Sequence, residues 1–109
     1  MTETILFSII TVSYNSEKTI SRTIESVLKQ SINNIEYIII DGNSKDKTVE
    51  VIKSFEHVFS KNKIKYTWIS ESDQGIYDAF NKGLKLASGK WISFLGSDDY
   101  YLPNALNTY

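Results

Sequence analysis

The sequence predicts an α/β fold, a three-layer α/β/α sandwich built on a mainly parallel sheet. Segments rich in isoleucine and valine alternate with segments whose apolar residues recur at helical spacing, in the order strand, helix, strand, helix, strand, helix, strand. The strand segments are almost continuously apolar, which is typical of parallel strands that helices cover on both faces. With right-handed crossovers, this order places the carboxyl ends of all the strands at one edge of the sheet.

Length and composition allow one domain with a substantial core. The chain has 109 residues, 41% of them hydrophobic and 13% aromatic, and we expect residues 1–109 to fold as a single domain. Twelve basic residues against thirteen acidic ones give a formal net charge of -1, so nucleic acid is not expected as a partner. The sequence contains no cysteine, which excludes disulfides and thiolate metal sites and fits a reducing compartment.

No segment of the sequence is typical of membrane insertion. The apolar run at residues 5–12 is too short and too rich in β-branched residues for an export signal or a membrane span. The basic stretch at residues 61–65 is interpreted as a solvated loop that enters a strand. We therefore expect a cytoplasmic protein with no transmembrane segment, peripheral at most to the inner face of the membrane.

The first two strands flank a predicted helix. The first strand is expected over residues 5–13, which are rich in isoleucine and valine. Ser16 is the predicted N-cap of the helix, whose apolar residues recur at helical spacing: Ile20, Ile24, Val27 and Leu28. The second strand is expected over residues 35–40 and ends in four residues with strong turn preferences, 41–44.

A second helix is expected to begin near Asp46. His57 lies off its apolar stripe and is expected at the surface, whereas the buried side comprises Val51, Ile52, Phe55, Val58 and Phe59. The third strand is expected over residues 64–69, where apolar and aromatic residues return.

The third helix shows the cleanest amphipathic pattern in the chain and follows a polar loop at residues 70–75. Its buried stripe comprises Ile76, Ala79, Phe80, Gly83, Leu84 and Ala87. Because glycine costs helix stability relative to alanine, Gly83 is best explained by a close approach to the sheet. Ser88-Gly89 ends the helix, residues 90–95 form the fourth strand, and Pro103 is expected to open a last short helix.

Three polar clusters follow predicted strand ends: Tyr14-Asn15, Asp41-Gly42-Asn43 and Asp98-Asp99. Parallel strands bring all three to the sheet edge at which α/β folds bind ligands. Turn and cap chemistry explains the cluster around Asp41 equally well, and a ring that covers the sheet edge explains Tyr14. Their convergence at one edge favours a binding site.

Asp98 and Asp99 follow the apolar run 91–95 directly and predict a site for a divalent cation and phosphate. Carboxylate oxygens suit Mg²⁺ or Mn²⁺, which bind one or two carboxylates together with substrate phosphates, although an acidic turn is the simpler reading of the pair alone. The glycines match neither GxGxxG nor GxxxxGK[ST], so a bound diphosphate needs a cation to neutralise it as it leaves. Tyr14 offers a face on which a base can stack, and Asp41 offers a hydrogen-bond acceptor.

Three segments carry a family resemblance: residues 8–15 (SIITVSYN), 36–46 (EYIIIDGNSKD) and 94–99 (FLGSDD). They resemble the first strand, the second strand with its acidic loop, and the DxD-type metal motif of an inverting family-2 glycosyltransferase with the GT-A fold. The resemblance covers almost the whole chain, as the nucleotide-binding, Rossmann-like half of that fold. Residues 70–83 (SESDQGIYDAFNKG) further resemble a branch that builds bacterial surface polysaccharides, with a segment D-x-G-I-Y-D-A-x-N-K-G.

The resemblance implies a nucleotide-diphosphate sugar as donor, UDP-linked in the leading hypothesis, and a glycan or lipid-linked acceptor. It implies a nucleotide-binding set in which Asp41 contacts the base and Asp98 reaches the ribose or the metal; the other members are Thr11, Val12, Tyr14, Asn15 and Asn43. Asp99 is implied as a metal ligand, for Mg²⁺ or Mn²⁺, with Asp98 beside it. The donor sugar is expected against Asp73, Tyr77, Asp78 and Asn81, although an Asp78–Lys82 pair on a solvated helix face explains the last three as well.

Two departures from the family pattern matter. Many members carry two consecutive acidic residues where this chain has Asp41-Gly42, and the second often touches the base, so base recognition by Asp41 stays open. The family's acceptor-binding half and its general base follow the metal motif, so we expect both beyond residue 109. On this reading the chain is a truncated piece that binds nucleotide without transferring sugar and that self-associates through the surface where the other half would dock.

Two other classes of protein fit parts of the pattern. A receiver-like signalling module also places carboxylates at strand ends, but it needs an acidic pair after the first strand, where this chain has Tyr14-Asn15. A sugar nucleotidyltransferase would need a glycine-rich, basic loop after the first strand, and residues 13–18 supply neither property.

Overall fold

The computed structural model describes residues 5, 7–30, 34–102 and 106 and confirms the predicted α/β fold. These ranges contain four strands and four helices, and a strand is followed by a helix or, after β2, by two helices. In chain order they are β1 (Phe7–Ser13), α1 (Ile20–Leu28), β2 (Ile35–Asp41), α2 (Thr48–Ser54), α3 (Glu56–Lys61), β3 (Lys65–Ser70), α4 (Ile76–Leu86) and β4 (Trp91–Phe94). The helix expected at Pro103 lies outside the described residues.

The sheet is parallel throughout, with the strand order β3-β2-β1-β4. The two central strands are in register from Phe7 opposite Ile35 to Ser13 opposite Asp41. β2 is buried along its whole length and β1 along nearly all of it, as their continuous apolar sequences predict. The ends of β1 and β2 therefore lie side by side, which brings the first two polar clusters together.

Helices cover both faces of the central strands, so the predicted three-layer arrangement is confirmed. On one face, Ile9 and Ile39 pack with buried residues of α1, α2 and α3. On the other face, Ile10 and Ile38 pack against α4 through Ala79. Successive residues of a strand point to opposite faces, so the alternation within β1 and β2 builds two separate cores.

Gly83 lies against β1, as its position in the helix predicts. A Cβ atom at this position would lie 2.6 Å from Cγ2 of Ile10. That distance is too short for any side chain, so α4 rests directly on the sheet at this point. Because α4 begins beside the carboxyl ends of the strands, this contact also positions the entrance to the site.

Several local predictions were wrong. Ile76 and Leu84 were expected in the buried stripe of α4, but they are 59% and 42% exposed, and Ile76 is the first residue of the helix, at the edge of the sheet. The segment expected to form one second helix forms two, α2 and α3, which meet at Phe55. Val58 was expected in the core but is exposed, because the core position is filled by Phe59, which stacks on Tyr66 with ring centroids 4.2 Å apart.

Ser16 does not cap α1, because the N-cap residue of α1 is Thr19. The Ser16 hydroxyl instead donates to the carbonyl of Tyr14 and lies within hydrogen-bond distance of the Ser97 hydroxyl. The exposed position of His57 is confirmed.

The edge strand β4 is less covered than its apolar sequence predicts. Trp91 is 61% exposed and Phe94 is 49% exposed, although Phe94 contacts Phe80 of α4 edge to face. β4 pairs only with β1, so its outer edge is open within the part of the chain that the structure describes. None of the helices in the described ranges is long and apolar enough to cross a membrane.

Candidate functional site

A cavity of about 540 Å³ opens at the carboxyl edge of the sheet, between the ends of β1 and β2 and the start of α4. Its volume falls in the usual range for small-molecule sites, and its place is the one at which α/β sheets bind ligands. The residues that line it come from four segments: Val12, Ser13, Tyr14, Gly42, Ser72, Asp73, Gly75, Ile76 and Ala79.

Tyr14, Gly42 and Asp73 meet at one point of the cavity wall. A Cβ atom on Gly42 would lie 3.1 Å from Oδ2 of Asp73 and 3.5 Å from Cδ1 of Tyr14. The absence of a side chain at position 42 therefore leaves room for an aromatic ring and a carboxylate. Tyr14 is 59% exposed, so much of its surface is available to a ligand.

Asp41 lies beneath this wall and is completely buried. Its Oδ1 accepts hydrogen bonds from the hydroxyls of Ser13 (2.8 Å) and Ser44 (2.6 Å), and its Oδ2 accepts from the Ser44 amide (2.8 Å) and the Ser70 hydroxyl (2.8 Å). These donors belong to β1, β3 and the loop after β2. The carboxylate therefore ties three segments of the sheet edge together, and in this conformation it does not face the cavity.

The loops after β1 and β2 are also bonded to each other. The backbone N–H of Asn15 donates to the Ser44 hydroxyl (2.8 Å), and the side-chain oxygen of Asn15 accepts from the backbone N–H of Lys45 (2.8 Å). Asn15 and Asn43 both have positive φ angles, 49° and 65°, which asparagine tolerates better than most residues. Asn43 also donates to the Ser72 hydroxyl at 3.4 Å, at the rim of the cavity.

The loop Gly96–Asp99 is held against the segment that follows β1. The Ser97 hydroxyl is 2.8 Å from that of Ser16, and the Ser97 carbonyl accepts from the hydroxyls of Thr19 (2.8 Å) and Thr23 (3.1 Å). The Thr23 hydroxyl also contacts the carbonyl of Asp99. The acidic pair therefore lies on the same side of the molecule as Tyr14 and its cavity, as the parallel sheet predicts.

The carboxylates of Asp98 and Asp99 converge over Gly96. A Cβ atom on Gly96 would lie 2.9 Å from Oδ2 of Asp99 and 3.2 Å from Oδ1 of Asp98. Both side chains are exposed, so their oxygens are accessible to a ligand. The described residues contain no group of three or more acidic, histidine or cysteine side chains that could hold a metal ion by themselves. Two accessible carboxylates fit Mg²⁺ or Mn²⁺, which complete their coordination with water and phosphate oxygens.

Lys82 holds the loop between β3 and α4 in place. Its ammonium group donates to the carbonyl of Ser72 at 3.2 Å and pairs with Glu71 at 3.2 Å and Asp78 at 3.6 Å. Partial desolvation lowers the pKa of Lys82, but the hydrogen bond and charge of Glu71, with the charges of Asp78 and Asp73, outweigh it and raise the pKa above its usual value. The loop that carries Asp73 is therefore attached to α4 by a permanent cation.

The structure brings together only part of the predicted site. Val12, Tyr14 and Asp73 line the cavity, whereas the Thr11 hydroxyl is buried 2.8 Å from the Tyr37 hydroxyl. Thr11 faces the core formed with α1 to α3, because adjacent strand residues point to opposite faces.

The donor-sugar residues on α4 lie outside the cavity wall. Asp78 forms the helical pair with Lys82 and accepts the Gln74 amide at 2.9 Å, and Tyr77 is 82% exposed. Asn81 is exposed one turn further along the helix. These residues stand beside the cavity rather than around it.

Some residues of the site were not predicted from the sequence. Ser72 and Ile76 line the cavity, and Lys82 holds the loop that carries Ser72. Thr23 holds the loop of the acidic pair. The spacing of Lys82 from Asp78 was a usable signal for an ion pair, but nothing in the spacing showed that the pair anchors the loop 71–75.

An all-parallel sheet with a cavity and a carboxylate pair at its carboxyl edge defines an α/β domain of the nucleotide-binding type. Residues 8–108 match the family model described as Glycosyl transferase family 2, and the chain belongs to that family. This membership decides against the receiver-like and nucleotidyltransferase readings of the sequence.

The curated relatives are bacterial glycosyltransferases. The Escherichia coli protein WfgD, a UDP-Glc:alpha-D-GlcNAc-diphosphoundecaprenol beta-1,3-glucosyltransferase, is 46% identical over 101 residues, which cover 93% of this chain and 38% of WfgD. A PGL/p-HBAD biosynthesis glycosyltransferase of Mycobacterium bovis is 34% identical over 94 residues, covering 86% of this chain and 36% of that protein. The chain thus spans well under half the length of these relatives.

Solved structures show the same fold. Staphylococcus aureus TarS 1-349 in complex with UDP-GlcNAc superposes with a TM-score of 0.83 at 29% identity, covering 94% of this chain and 29% of TarS 1-349. The mannosyltransferase PcManGT from Pyrobaculum calidifontis, in complex with GDP-Man and Mn²⁺, gives 0.84 at 19% identity, covering 94% of this chain and 30% of that one. The second likeness concerns the fold alone, and both confirm the GT-A architecture.

Proposed function

We propose that this region binds a nucleotide-diphosphate sugar, UDP-linked, through a divalent cation and presents it for inverting transfer in polysaccharide biosynthesis. The observation that carries the proposal is that the Asp98–Asp99 pair shares a sheet edge with the cavity beside Tyr14. The 2.8 Å contact between Ser16 and Ser97 joins the two parts of this edge. A diphosphate that reaches from the cavity to the carboxylates needs both parts at the same edge.

The nucleoside belongs in the cavity of about 540 Å³. The exposed ring of Tyr14 provides a stacking surface for the base, and Val12 provides an apolar floor. Asn15, Asn43 and Asp41 contribute by fixing the loops that form the walls. In this proposal Asp41 is a positioning residue, since its carboxylate is occupied by four hydrogen bonds from the described residues.

Asp98 and Asp99 hold Mg²⁺ or Mn²⁺, with Asp98 also within reach of the ribose. A divalent cation held by these carboxylates would supply positive charge to the diphosphate, which would make the diphosphate a better leaving group. The protein's own contribution is to present two carboxylates at a fixed place. The bonds from Thr19 and Thr23 to the Ser97 carbonyl prevent the loop from moving away from the sheet.

The donor sugar lies beside α4. Tyr77, Asp78 and Asn81 extend from the helix next to the cavity rim, where they are exposed or partly exposed. Asp78 is held by Lys82 and by the Gln74 amide, so its carboxylate has a defined orientation. Hydroxyls of a sugar find both donors and acceptors on this surface.

The relatives support a proposal for the donor and acceptor classes. TarS was solved with UDP-GlcNAc, and WfgD is named for UDP-Glc and a diphosphoundecaprenol-linked acceptor. We propose a UDP-sugar and a glycan or lipid-linked acceptor for this protein as well. A lipid-linked acceptor places the reaction at a membrane surface, for which we propose the cytoplasmic side.

We propose that residues 1–109 form the donor-binding domain and do not complete transfer alone. Inversion needs a general base that takes the proton of the acceptor hydroxyl. The relatives are more than twice as long as the matched region, which leaves ample length for an acceptor-binding half with that base. Sugar transfer by these 109 residues at the rate of a chain as long as the relatives would contradict this division.

Calorimetry with UDP tests the proposed function. We expect UDP to bind in the presence of Mn²⁺ with an affinity that falls at least about tenfold when the metal is removed with EDTA. The affinity should return when Mn²⁺ is added in excess of the chelator. The proposal would be overturned if UDP released no heat of binding, or if its affinity were the same with and without metal.

The open edge of β4 makes these 109 residues prone to self-association. Trp91, Ile92 and Phe94 are exposed apolar residues on a strand that lacks an outer partner in the described part of the sheet. We expect light scattering to show a mass that rises with concentration for the wild type and less so for Trp91→Lys. A clean monomer at high concentration for both proteins would contradict the role of this edge.

A further inference from the structure

Asp73 stands where a side chain on residue 42 would project. Its Oδ2 lies 3.1 Å from the Cβ position that Gly42 lacks, next to the Tyr14 ring edge at 3.5 Å from the same position. A planar group that lies in the cavity against Tyr14 and Gly42 therefore meets the Asp73 carboxylate at its edge. This is the position from which a hydrogen-bond acceptor can read the polar edge of a base.

Among the residues that line the cavity, Asp73 carries the sole charged side chain. Asp41, the other acidic residue near this wall, is fully buried with both oxygens occupied. The Oδ1 atom of Asp73 accepts the Gly75 amide at 3.3 Å, while Oδ2 accepts no hydrogen bond from any described residue. Oδ2 is therefore the carboxylate oxygen that the cavity offers to a ligand.

The position of Asp73 is held from below. Lys82 bonds the carbonyl of the preceding residue, Ser72, at 3.2 Å and pairs with Glu71 at 3.2 Å. A carboxylate oxygen accepts hydrogen bonds, so it favours a base edge that carries an N–H group over an edge that carries a lone pair.

We infer that Asp73 accepts the ring N–H of the nucleobase and thereby selects nucleotides with such a donor against those without one. The inference rests on the proposed function, and it assigns Asp73 to the nucleobase instead of the donor sugar. Uracil and guanine carry a ring N–H next to a carbonyl, whereas the corresponding nitrogen of cytosine is an acceptor. A site built around a polar contact strongly rejects an analogue that leaves its polar group unpaired.

Calorimetry with UDP, CDP and GDP in the presence of Mn²⁺ tests the inference. We expect the wild type to bind UDP at least about tenfold more tightly than CDP, because cytosine sets a lone pair against the carboxylate. In Asp73→Asn the affinity for UDP should fall about tenfold and the ratio of UDP to CDP affinities should approach one, since a carboxamide can also donate. Tighter binding of GDP than of UDP would still support the N–H rule and would assign guanine as the base.

Glu17→Gln is the matched control, because Glu17 is an exposed carboxylate in the segment after β1 that does not line the cavity. It should leave the UDP to CDP ratio of the wild type unchanged. If UDP binds and Asp73→Asn leaves that ratio unchanged, the inference is wrong while the proposed function stands. If the wild type binds none of the nucleotides with Mn²⁺, the proposed function fails and the inference fails with it.

Discussion

Asp41 and the Asp98–Asp99 pair are aspartates at the same edge of the sheet, yet they have opposite environments. Asp41 is completely buried and accepts four hydrogen bonds within the described structure. Asp98 and Asp99 are exposed, and their loop is held by backbone carbonyls, which leaves the carboxylates accessible. A carboxylate at a strand end is therefore structural when its neighbours donate to it, and it is available for a ligand when other groups of its loop make the contacts that hold the loop.

Substitution of Asp41 should lower the free energy of unfolding far more than substitution of Asp99. Asp41→Ala removes the acceptor of three serine hydroxyls and one amide, so the free energy of unfolding should fall by about 3–5 kcal/mol. Urea denaturation followed by circular dichroism measures it. Asp99→Ala is the matched substitution, and it should stay within about 0.5 kcal/mol of the wild type. Equal losses for the two variants would remove the distinction.

Substitution of Asp99 should instead weaken the binding of UDP. Asp99→Asn should lower the affinity for UDP with Mn²⁺ about 100-fold, because a metal ligand loses its charge and the diphosphate loses its counter-ion. Calorimetry at fixed Mn²⁺ gives the value. Glu17→Gln removes an exposed carboxylate close to the same edge and serves as the control for net charge, with no expected change. An identical response of both variants would mean that Asp99 acts only through long-range charge.

A smaller effect tests the cavity between the two carboxylate sites. Tyr14→Ala should weaken UDP about tenfold through the loss of a stacking surface, whereas Tyr14→Phe should bind like the wild type. Titration with UDP at constant Mn²⁺ measures both. Should Tyr14→Phe weaken UDP as much as Tyr14→Ala, the hydroxyl rather than the ring would carry the contact.

The smallest effect concerns Glu36, a second buried carboxylate at the opposite end of β2. Burial raises its pKa, but hydrogen bonds from Ser8 and from the amide and hydroxyl of Ser88, with the charge of Lys65, outweigh burial and lower the pKa below the ordinary 4.5. The stabilisation is therefore present above pH 4.5 and is lost as the pH falls through the lower folded-state pKa.

Glu36→Gln should flatten the acid side of the stability curve. Urea midpoints between about pH 6 and pH 3 measure the slope, which should be smaller in the variant because glutamine does not titrate. Glu50→Gln, at an exposed position of α2, should keep the wild-type slope. Identical slopes in Glu36→Gln and the wild type would show that Glu36 has the same pKa in both states.

Local patterns in the sequence were enough for most of the fold. The alternation of apolar runs and helical stripes predicted the strands and helices, and Gly83 predicted the close contact between α4 and β1. The division of the second helix at Phe55 was missed, because the competition between Val58 and Phe59 for the core depends on Tyr66 in another strand. The exposure of β4 was missed as well, since an apolar strand looks the same at the edge as in the centre.

The sequence was sufficient to predict that carboxylates and an aromatic ring gather at one edge of a parallel sheet, because strand direction sends every strand end there. Which of these groups face a ligand depends on contacts between distant segments. The Asp41 carboxylate accepts hydrogen bonds from donors of three segments. The Asp73 carboxylate instead lies in the space next to Gly42, on a loop that Lys82 holds. The bonds of Asp41 with Ser13 and Ser70 join residues 28 and 29 positions apart. Spacing along the chain carries no record of side-chain direction or of the partners that satisfy a buried charge.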